Sequence, residues 1–241
     1  MPRLLILCAT QFEMALFLDR HPELVKEKTP SQLTLYSGVL GQTVVDCVIS
    51  GPGVFNTVHA LTVYLTRKRP SRILHTGIAG VFAPSGFGIG DIGIAGREQY
   101  VHTGVGCGTP EYAPLPFDLI CDQPSTRRGI YPADATLLES YCGLFSRKVG
   151  GGAIALGNFI TVSSITPSFA QAQKVYDHFS PVMEAMEGAA AFHVAALYRV
   201  PVIEIRAASN LVGERDKDKW DFPLACERVC QICRMVLAHP I

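Results

Sequence analysis

The fold is decided by the stretch Arg72-Ile73-Leu74-His75-Thr76-Gly77-Ile78-Ala79-Gly80. Residues 72–76 predict a short buried strand, and the glycines within residues 77–80 predict a tight turn where that strand ends. Similar apolar runs alternate with helical stretches along the rest of the chain. This alternation is typical of an α/β protein, in which helices pack on a central sheet.

On both sides of this stretch, apolar runs and helical periodicity predict the other elements. Strands are expected at residues 4–9, 33–38, 42–50, 92–101, 153–162 and 202–207. Helices are expected from about residue 12 and at residues 54–66, 133–145, 167–178, 187–198 and 218–237. Residues 102–130 lack periodicity, so we expect a loop-rich insertion there and a candidate substrate lid. No linker divides the chain, and residues 1–241 are expected to form one domain.

The composition favours a small-molecule ligand. The 241 residues suit one core, because single domains of this class run to about 250 residues. Lys plus Arg and Asp plus Glu number 21 each, so the basic excess typical of nucleic-acid binding is missing. A charged fraction of 17% suits a chain that buries much of its surface, in part within an oligomer. Without a membrane span or export signal in the sequence, we expect a cytoplasmic protein.

The eight cysteines are interpreted as reduced thiols. An even count would suggest disulfides in an exported domain, but no export signal precedes them. Cys226, Cys230 and Cys233 share one face of a predicted helix. Metal ligands could use this spacing, yet no paired His or second CxxC accompanies it. We therefore expect these three side chains to pack in the core.

Polar groups follow several predicted strands, and the carboxyl ends of strands are where α/β sheets bind ligands. They are Glu13, residues 76–80 with Ile78, Met186-Glu187, and Ser209-Asn210. Each has a plainer interpretation when taken alone. Glu13 could serve the dipole of a helix, the glycines could form a turn, and Asn210 could be a helix cap.

Seven segments of the sequence, taken together and in their order along the chain, favour the functional interpretation of these residues. They are residues 5–13 (LILCATQFE), 50–53 (SGPG), 76–80 (TGIAG), 90–92 (GDI), 157–160 (GNFI), 186–190 (MEGAA) and 205–210 (IRAASN). Together they resemble the methylthioadenosine/S-adenosylhomocysteine nucleosidase branch of the nucleoside phosphorylase superfamily. The resemblance covers nearly the whole chain and is weakest across residues 102–150. It implies a three-layer nucleoside phosphorylase-like fold, with a central mixed, twisted sheet flanked by helices.

The resemblance implies an N-glycosidic hydrolase acting on a nucleoside. It assigns Glu13 to the activation of the attacking water, and Glu187 to the ribose hydroxyls, with Met186 packed on the sugar. Carboxylates suit these tasks, since they accept protons and stabilise the positive charge of an oxocarbenium-like sugar. For Glu187 the alternative is a carboxylate that merely favours a helix N-terminus. This chemistry requires no metal or organic cofactor. In related nucleosidases a neighbouring subunit helps to close the 5′ pocket, so the resemblance also implies a homodimer or larger assembly.

Further residues are assigned to the substrate on the same basis. Phe159 would stack on the purine and Ile160 would contact its edge, although both also fit a core strand. Arg206 would orient neighbouring carboxylates or backbone, or else pair as a cation at a strand end. Ile78 and Ser209 belong to the matching segments and are candidate substrate contacts.

Asn210 departs from the pattern of the adenine-releasing nucleosidases, which carry Asp at this position. An amide cannot protonate the purine, but its NH₂ can donate to N7 or O6 of a 6-oxopurine such as hypoxanthine. Asn also pairs with the N6/N7 edge of adenine in protein–DNA contacts. Asn210 therefore favours hypoxanthine and leaves adenine open.

Residues 209–220 (SNLVGERDKDKW) are similar to the futalosine hydrolase family, whose members release hypoxanthine from futalosine in menaquinone biosynthesis. The candidates for the benzoate of futalosine are Arg215, Lys217 and Lys219 as cations and Trp220 as a stacking partner; for each cation, solvated surface charge is the alternative. A methylthioadenosine/S-adenosylhomocysteine nucleosidase, a purine nucleoside phosphorylase and a silent nucleoside-binding protein remain alternatives. Phosphorolysis is disfavoured because residues 51–56 and 76–80 contain no Arg, Lys or other phosphate cradle.

Overall fold

The computed structural model describes residues 1–29, 33–105, 115–121, 123–145 and 153–239. Within these ranges there are ten strands and six α-helices. The strands are β1 (Arg3–Cys8), β2 (Val25–Glu27), β3 (Thr34–Leu40), β4 (Thr43–Ile49), β5 (Arg72–Val81), β6 (Ile92–Tyr100), β7 (Ile130–Pro132), β8 (Ile154–Thr161), β9 (Pro181–Ala185) and β10 (Val202–Leu211). The helices are α1 (Gln11–Asp19), α2 (Val54–Leu65), α3 (Ala135–Phe145), α4 (Phe169–Phe179), α5 (Gly188–Tyr198) and α6 (Phe222–Ala238).

The strands form one mixed sheet in the order β10-β6-β8-β9-β5-β1-β4-β3-β2, with β7 beside β6. β10 also pairs with β5, so β5, β10, β6, β8 and β9 close into a ring. Pairing is parallel between β1 and β5 and between β5 and β10, and it is antiparallel between β5 and β9. As a result, the carboxyl ends of β1, β5 and β10 meet on one side of the sheet.

Helices cover both faces of this sheet, as β1 illustrates. Leu4 and Ile6 belong to a core cluster shared with α1, α3 and α6. Leu5 and Leu7 point the other way, into a cluster shared with α2 and α5. Because neighbouring strand residues alternate between faces, a continuous apolar run marks a strand buried on both sides. The predicted mixed α/β architecture with flanking helices is therefore confirmed.

Two strands run further than the sequence predicts. β5 continues to Val81 and β10 to Leu211, beyond the expected ends at residues 76 and 207. The two strands pair along almost their whole length, which carries residues 77–80 into the sheet. The predicted turn at these glycines is therefore wrong. The three short strands β2, β7 and β9 were also not predicted.

Helix starts follow local capping. Thr10 and Glu13 form a capping box that begins α1 directly after β1, and this holds Glu13 at the carboxyl end of that strand. Asp221 caps α6, so this helix begins at Phe222 rather than at residue 218. Residues Lys217–Lys219 form a separate 3₁₀ turn.

Cys226, Cys230 and Cys233 are buried on α6, which confirms their predicted core packing. In the part of the chain that the structure describes, no helix is both long and apolar enough to cross a membrane. Residues 106–114 and 122 of the predicted lid lie outside the described residues. The described part of residues 102–130 supplies none of the cavity-lining residues below, and the lid stays a prediction.

Candidate active site

A cavity of about 470 Å³ lies where β1, β5, β9 and β10 end. Its walls include six of the nine predicted site residues, namely Glu13, Ile78, Met186, Glu187, Ser209 and Asn210. β5 and β10 lie side by side, and Gly77 pairs with Arg206 while Gly80 pairs with Asn210. The two pairs are three residues apart along β5. At about 3.3 Å per residue this separates two parts of the cavity by roughly 10 Å. We call them the Glu13–Glu187 end and the Asn210 end.

Glu13 is buried, and backbone and hydroxyl donors hold both of its carboxylate oxygens. Oε2 accepts hydrogen bonds from the backbone N–H (2.8 Å) and the hydroxyl (2.6 Å) of Thr10. Oε1 accepts a hydrogen bond from the backbone N–H of Ile78 at 2.9 Å. Glu13 thus serves the start of α1 and faces the cavity at the same time, so the two interpretations of this residue are compatible.

Gly77 allows this close approach between α1 and β5. A Cβ at Gly77 would lie 2.6 Å from Glu13 Oε1 and 3.2 Å from Arg206 Nη1, and the residue has a φ of +152°. A side chain would therefore displace the carboxylate that faces the cavity. The glycine predicted to form a turn instead makes room for Glu13.

Glu187 precedes α5 and joins three parts of the chain. Its Oε1 accepts a hydrogen bond from the backbone N–H of Gly53 at 2.9 Å. Its Oε2 accepts from Arg206 Nη2 at 3.1 Å and from the backbone N–H of Met186 at 3.3 Å. The side chain does not cap α5. The helix-terminus alternative therefore explains less of its geometry than a role in the cavity.

Arg206 forms ion pairs with Glu187 and with another buried carboxylate, Glu204. Its side chain is 1% exposed. Its guanidinium donates to Glu204 Oε1 at 2.6 Å and to the Ile78 carbonyl at 3.1 Å, besides its bond to Glu187. Burial alone would lower its pKa, but the charges of Glu204 and Glu187 raise it, so the side chain stays cationic. Its predicted role in orienting carboxylates agrees with these contacts, although it is not among the lining residues.

His75 fixes the other side of Arg206. Its Nδ1 lies 3.2 Å from the Leu7 carbonyl and its Nε2 lies 2.6 Å from Arg206 Nη2. Burial and the charge of Arg206 lower the pKa of His75 well below its usual value. The neutral ring therefore carries its hydrogen on Nδ1 and accepts from Arg206 at Nε2.

A second buried carboxyl lies behind Glu204. A Cβ at Gly188 would lie 2.5 Å from Glu204 Oε2 and 2.6 Å from Glu98 Oε2, so both oxygens face the same small space. Burial and the neighbouring charge of Glu204 raise the pKa of Glu98 well above its usual value. The raised pKa favours the protonated form of Glu98, which faces Glu204 in this space.

At the Asn210 end, hydrogen bonds fix the orientation of an amide. Asn210 Nδ2 donates to the Leu211 carbonyl at 3.0 Å, and Oδ1 accepts from the Ser209 hydroxyl at 2.8 Å. A carbonyl oxygen can only accept, so the NH₂ group must lie on that side. Its second N–H is available to a ligand in the cavity.

The sequence analysis missed several residues at this end. Val162 and Ile165 follow β8, and Glu184 lies on β9. Val162 could have been found, because it is the last residue of the strand predicted at 153–162 and ligands bind at the carboxyl ends of strands. Glu184 could not, since β9 was not predicted as a strand.

The sequence matches the phosphorylase superfamily across residues 3–238. The chain belongs to the phosphorylase superfamily. The 5′-methylthioadenosine/S-adenosylhomocysteine nucleosidase of Anoxybacillus flavithermus is 30% identical over 199 residues, which cover 81% of this chain and 80% of the relative. The futalosine hydrolase of Acidothermus cellulolyticus is 32% identical over 187 residues, which cover 76% of this chain and 71% of the relative.

Solved structures from the superfamily share the fold at low sequence identity. A futalosine hydrolase mutant of Helicobacter pylori superposes with a TM-score of 0.84 at 16% identity and covers 100% of both chains. The 5′-methylthioadenosine/S-adenosylhomocysteine nucleosidase of Neisseria meningitidis, in complex with methylthio-immucillin-A, gives a TM-score of 0.81 at 18% identity, covering 98% of this chain and 99% of that chain. Both comparisons support the mixed sheet described above.

Two residues assigned from the superfamily pattern lie elsewhere. Phe159 and Ile160 are each 1% exposed and belong to core clusters, and neither lines the cavity. Both lie within β8 rather than beyond its carboxyl end. The stacking assignment of Phe159 therefore needs correction, and the core-strand alternative describes both residues.

Of the four residues predicted to contact the benzoate, two line the cavity and two do not. Arg215 and Trp220 line the cavity, and the Arg215 guanidinium lies 5.2 Å from the centroid of the Trp220 ring. Lys219 instead bonds Glu214 at 3.1 Å, and neither it nor Lys217 is a lining residue. Burial raises the pKa of Glu184, and the charge of Arg215 opposes this shift.

Proposed function

We propose that this chain is an N-glycosidic nucleoside hydrolase whose substrate is futalosine, which it splits into hypoxanthine and dehypoxanthine futalosine. The observation that carries this proposal is the pairing, in one cavity, of two buried carboxylates with an amide whose donor side is fixed. The carboxylates suit a sugar that becomes positively charged. The amide suits a leaving 6-oxopurine.

The reaction begins at the Glu13–Glu187 end. Water attacks the anomeric carbon, and Glu13 orients it and accepts its proton. Both oxygens of Glu13 are already held by N–H and O–H donors, so the carboxylate is preorganised for this role. Glu187 binds the ribose hydroxyls, and its charge stabilises the oxocarbenium-like transition state. Arg206 and Glu204 keep Glu187 in place.

The electrons of the broken C–N bond move onto the purine. In hypoxanthine they are delocalised toward N7 and O6, where the free N–H of Asn210 can donate a hydrogen bond. This stabilises the base as it leaves as an anion, which then takes up a proton from water, while Glu13 releases the proton of the attacking water to solvent. The amide donor thereby replaces the general acid that an Asp at this position would supply.

A methylthioadenosine/S-adenosylhomocysteine nucleosidase is the second candidate. It is supported by the Anoxybacillus flavithermus relative, whose identity to this chain is similar to that of the futalosine hydrolase. Asn can also serve adenine by donating to N7 and accepting from N6. The hydrogen bond from Ser209 fixes the amide of Asn210 but leaves its oxygen able to accept a second one, so Asn210 alone does not decide between the two bases.

A homo-oligomer is proposed as the working form. Phe55 on α2 is 90% exposed, three residues after Pro52 in the cavity wall. Exposed aromatic side chains of this kind favour a protein interface. Sedimentation of the wild type and of Phe55→Ser checks this, and an unchanged monomer in both would contradict it.

The proposed reaction is tested by chromatography of released purine. Futalosine, inosine and methylthioadenosine are supplied separately, each with and without phosphate. Hypoxanthine from futalosine, independent of phosphate, is the expected result. Adenine from methylthioadenosine would favour the second candidate, and a phosphate requirement would replace hydrolysis by phosphorolysis.

A further inference from the structure

One buried carboxyl in the cavity has no part in the reaction described above. Glu184 is 6% exposed and lines the cavity. Thr166 donates to it twice, from its hydroxyl to Oε2 at 2.5 Å and from its backbone N–H to Oε1 at 3.1 Å. Each carboxylate oxygen can accept a second hydrogen bond. Glu184 therefore presents free acceptor capacity to whatever occupies the cavity.

The sheet places Glu184 opposite Asn210. Gly80 pairs with Asn210 on one side and with Glu184 on the other. Directly paired residues project their side chains to the same face, and neighbouring strands are about 4.8 Å apart. The two backbones are thus separated by roughly 10 Å across a glycine. A Cβ at Gly80 would lie 2.9 Å from Val212 Cγ2 and 3.5 Å from Asn210 Nδ2, so a Val212 methyl packs over this glycine and the amide lies close to it.

A flat ligand in the cavity, packed on Val212, would meet a donor on the Asn210 side and an acceptor on the Glu184 side. A 6-oxopurine matches this arrangement, because O6 and N7 are acceptors and N1–H is a donor. A 6-aminopurine does not, because its N1 is an acceptor and would face the carboxylate oxygens. An acceptor opposed to an acceptor loses a hydrogen bond and leaves a buried charge less well solvated.

We propose that Glu184 is a specificity-determining residue whose carboxylate accepts a hydrogen bond from N1–H of the 6-oxopurine base. This inference rests on the proposed function, since it takes the Asn210 end as the site of the base. It divides base recognition between two strands. Asn210 on β10 reads the acceptors, and Glu184 on β9 reads the donor.

The test compares the binding of free hypoxanthine and free adenine by titration calorimetry. The variant is Glu184→Gln, and Glu214→Gln is the matched control on the neighbouring loop, outside the cavity. Gln has nearly the size of Glu, but its NH₂ can donate to N1 of adenine. We expect the ratio of hypoxanthine to adenine affinity to fall by about tenfold or more in Glu184→Gln, and to stay unchanged in Glu214→Gln.

An equal loss of affinity for both bases would overturn the assignment, because that is what a purely structural role for Glu184 predicts. A second measurement uses only the wild type: the N1–H proton of bound, ¹⁵N-labelled hypoxanthine should give a protected, downfield NMR signal. A rapidly exchanging N1–H would also overturn the assignment. Neither measurement needs turnover, so a wild type that shows both effects but does not cleave futalosine would contradict the proposed function alone.

Discussion

Replacing Glu187 by Gln removes one negative charge from the centre of the proposed site and changes little else in size. Glu187 accepts from the backbone N–H of Gly53 through Oε1 and from Arg206 through Oε2. In Gln one of these oxygens becomes an NH₂ group. A donor then faces a donor, whichever way the amide turns.

Two magnitudes follow from this geometry. Loss of one transition-state electrostatic contact lowers kcat about 10²- to 10³-fold, or about 3 to 4 kcal/mol. The opposed donors cost about 1–3 kcal/mol of folding free energy. Arg206 is not left as an unpaired charge, because Glu204 still accepts from it at 2.6 Å. We therefore expect a folded protein with a large loss of turnover.

The assay is steady-state release of purine, with thermal unfolding as the check on folding. Glu227→Gln is the control, since it removes the same charge from an exposed position on α6. The control should retain wild-type kcat and Glu187→Gln should not. A Glu187→Gln protein with wild-type kcat would remove this residue from the mechanism.

Three further predictions concern the base, the buried carboxyls and the packing beneath α5. Asn210→Asp should shift kcat/KM toward 6-aminopurine nucleosides, because Asp can protonate N7 and accept from N6. An unchanged ratio of kcat/KM for futalosine to kcat/KM for methylthioadenosine would contradict the proposed base selection. The pKa of Glu98 is raised by burial and by Glu204, so its stabilising contribution is present below its ordinary pKa and is lost as pH rises toward the folded-state value. The free energy of unfolding of the wild type and of Glu98→Gln is measured by urea titration at several pH values. Above pH 5 the wild type should lose stability relative to the variant by up to about 1.4 kcal/mol per pH unit. Parallel pH profiles would refute a proton on Glu98. Gly188→Ala places a methyl group 2.5 Å from Glu204 Oε2 and should cost about 1–3 kcal/mol of folding free energy, whereas an unchanged urea midpoint would show that the carboxyls can move aside.

Local signals in the sequence were enough for most helices and buried strands. The apolar run that forms β1 and the capping residue Thr10 act within a few residues of each other, so they predict where Glu13 lies. The ends of β5 and β10 depend instead on pairing between residues more than a hundred positions apart. No local pattern reveals such pairing, and the glycines of residues 77–80 were misinterpreted for this reason.

Site residues could be predicted from the sequence when they follow the end of a predicted strand. Glu13 and Asn210 satisfied this condition and line the cavity, whereas Phe159 lies inside β8 and does not. Glu184 was missed because the five residues of β9 are too short to show periodicity. The Glu98–Glu204 pair could not be predicted from the sequence, because it depends on two carboxyls from different strands meeting in space.

The most direct test of the central claim is the fate of oxygen when futalosine turns over in ¹⁸O-labelled water with phosphate present. Attack by water predicts that dehypoxanthine futalosine carries one ¹⁸O atom at its anomeric carbon and that free hypoxanthine forms in equal amount. A phosphorylated sugar product would contradict hydrolysis, and no release of hypoxanthine from futalosine would contradict the proposed substrate.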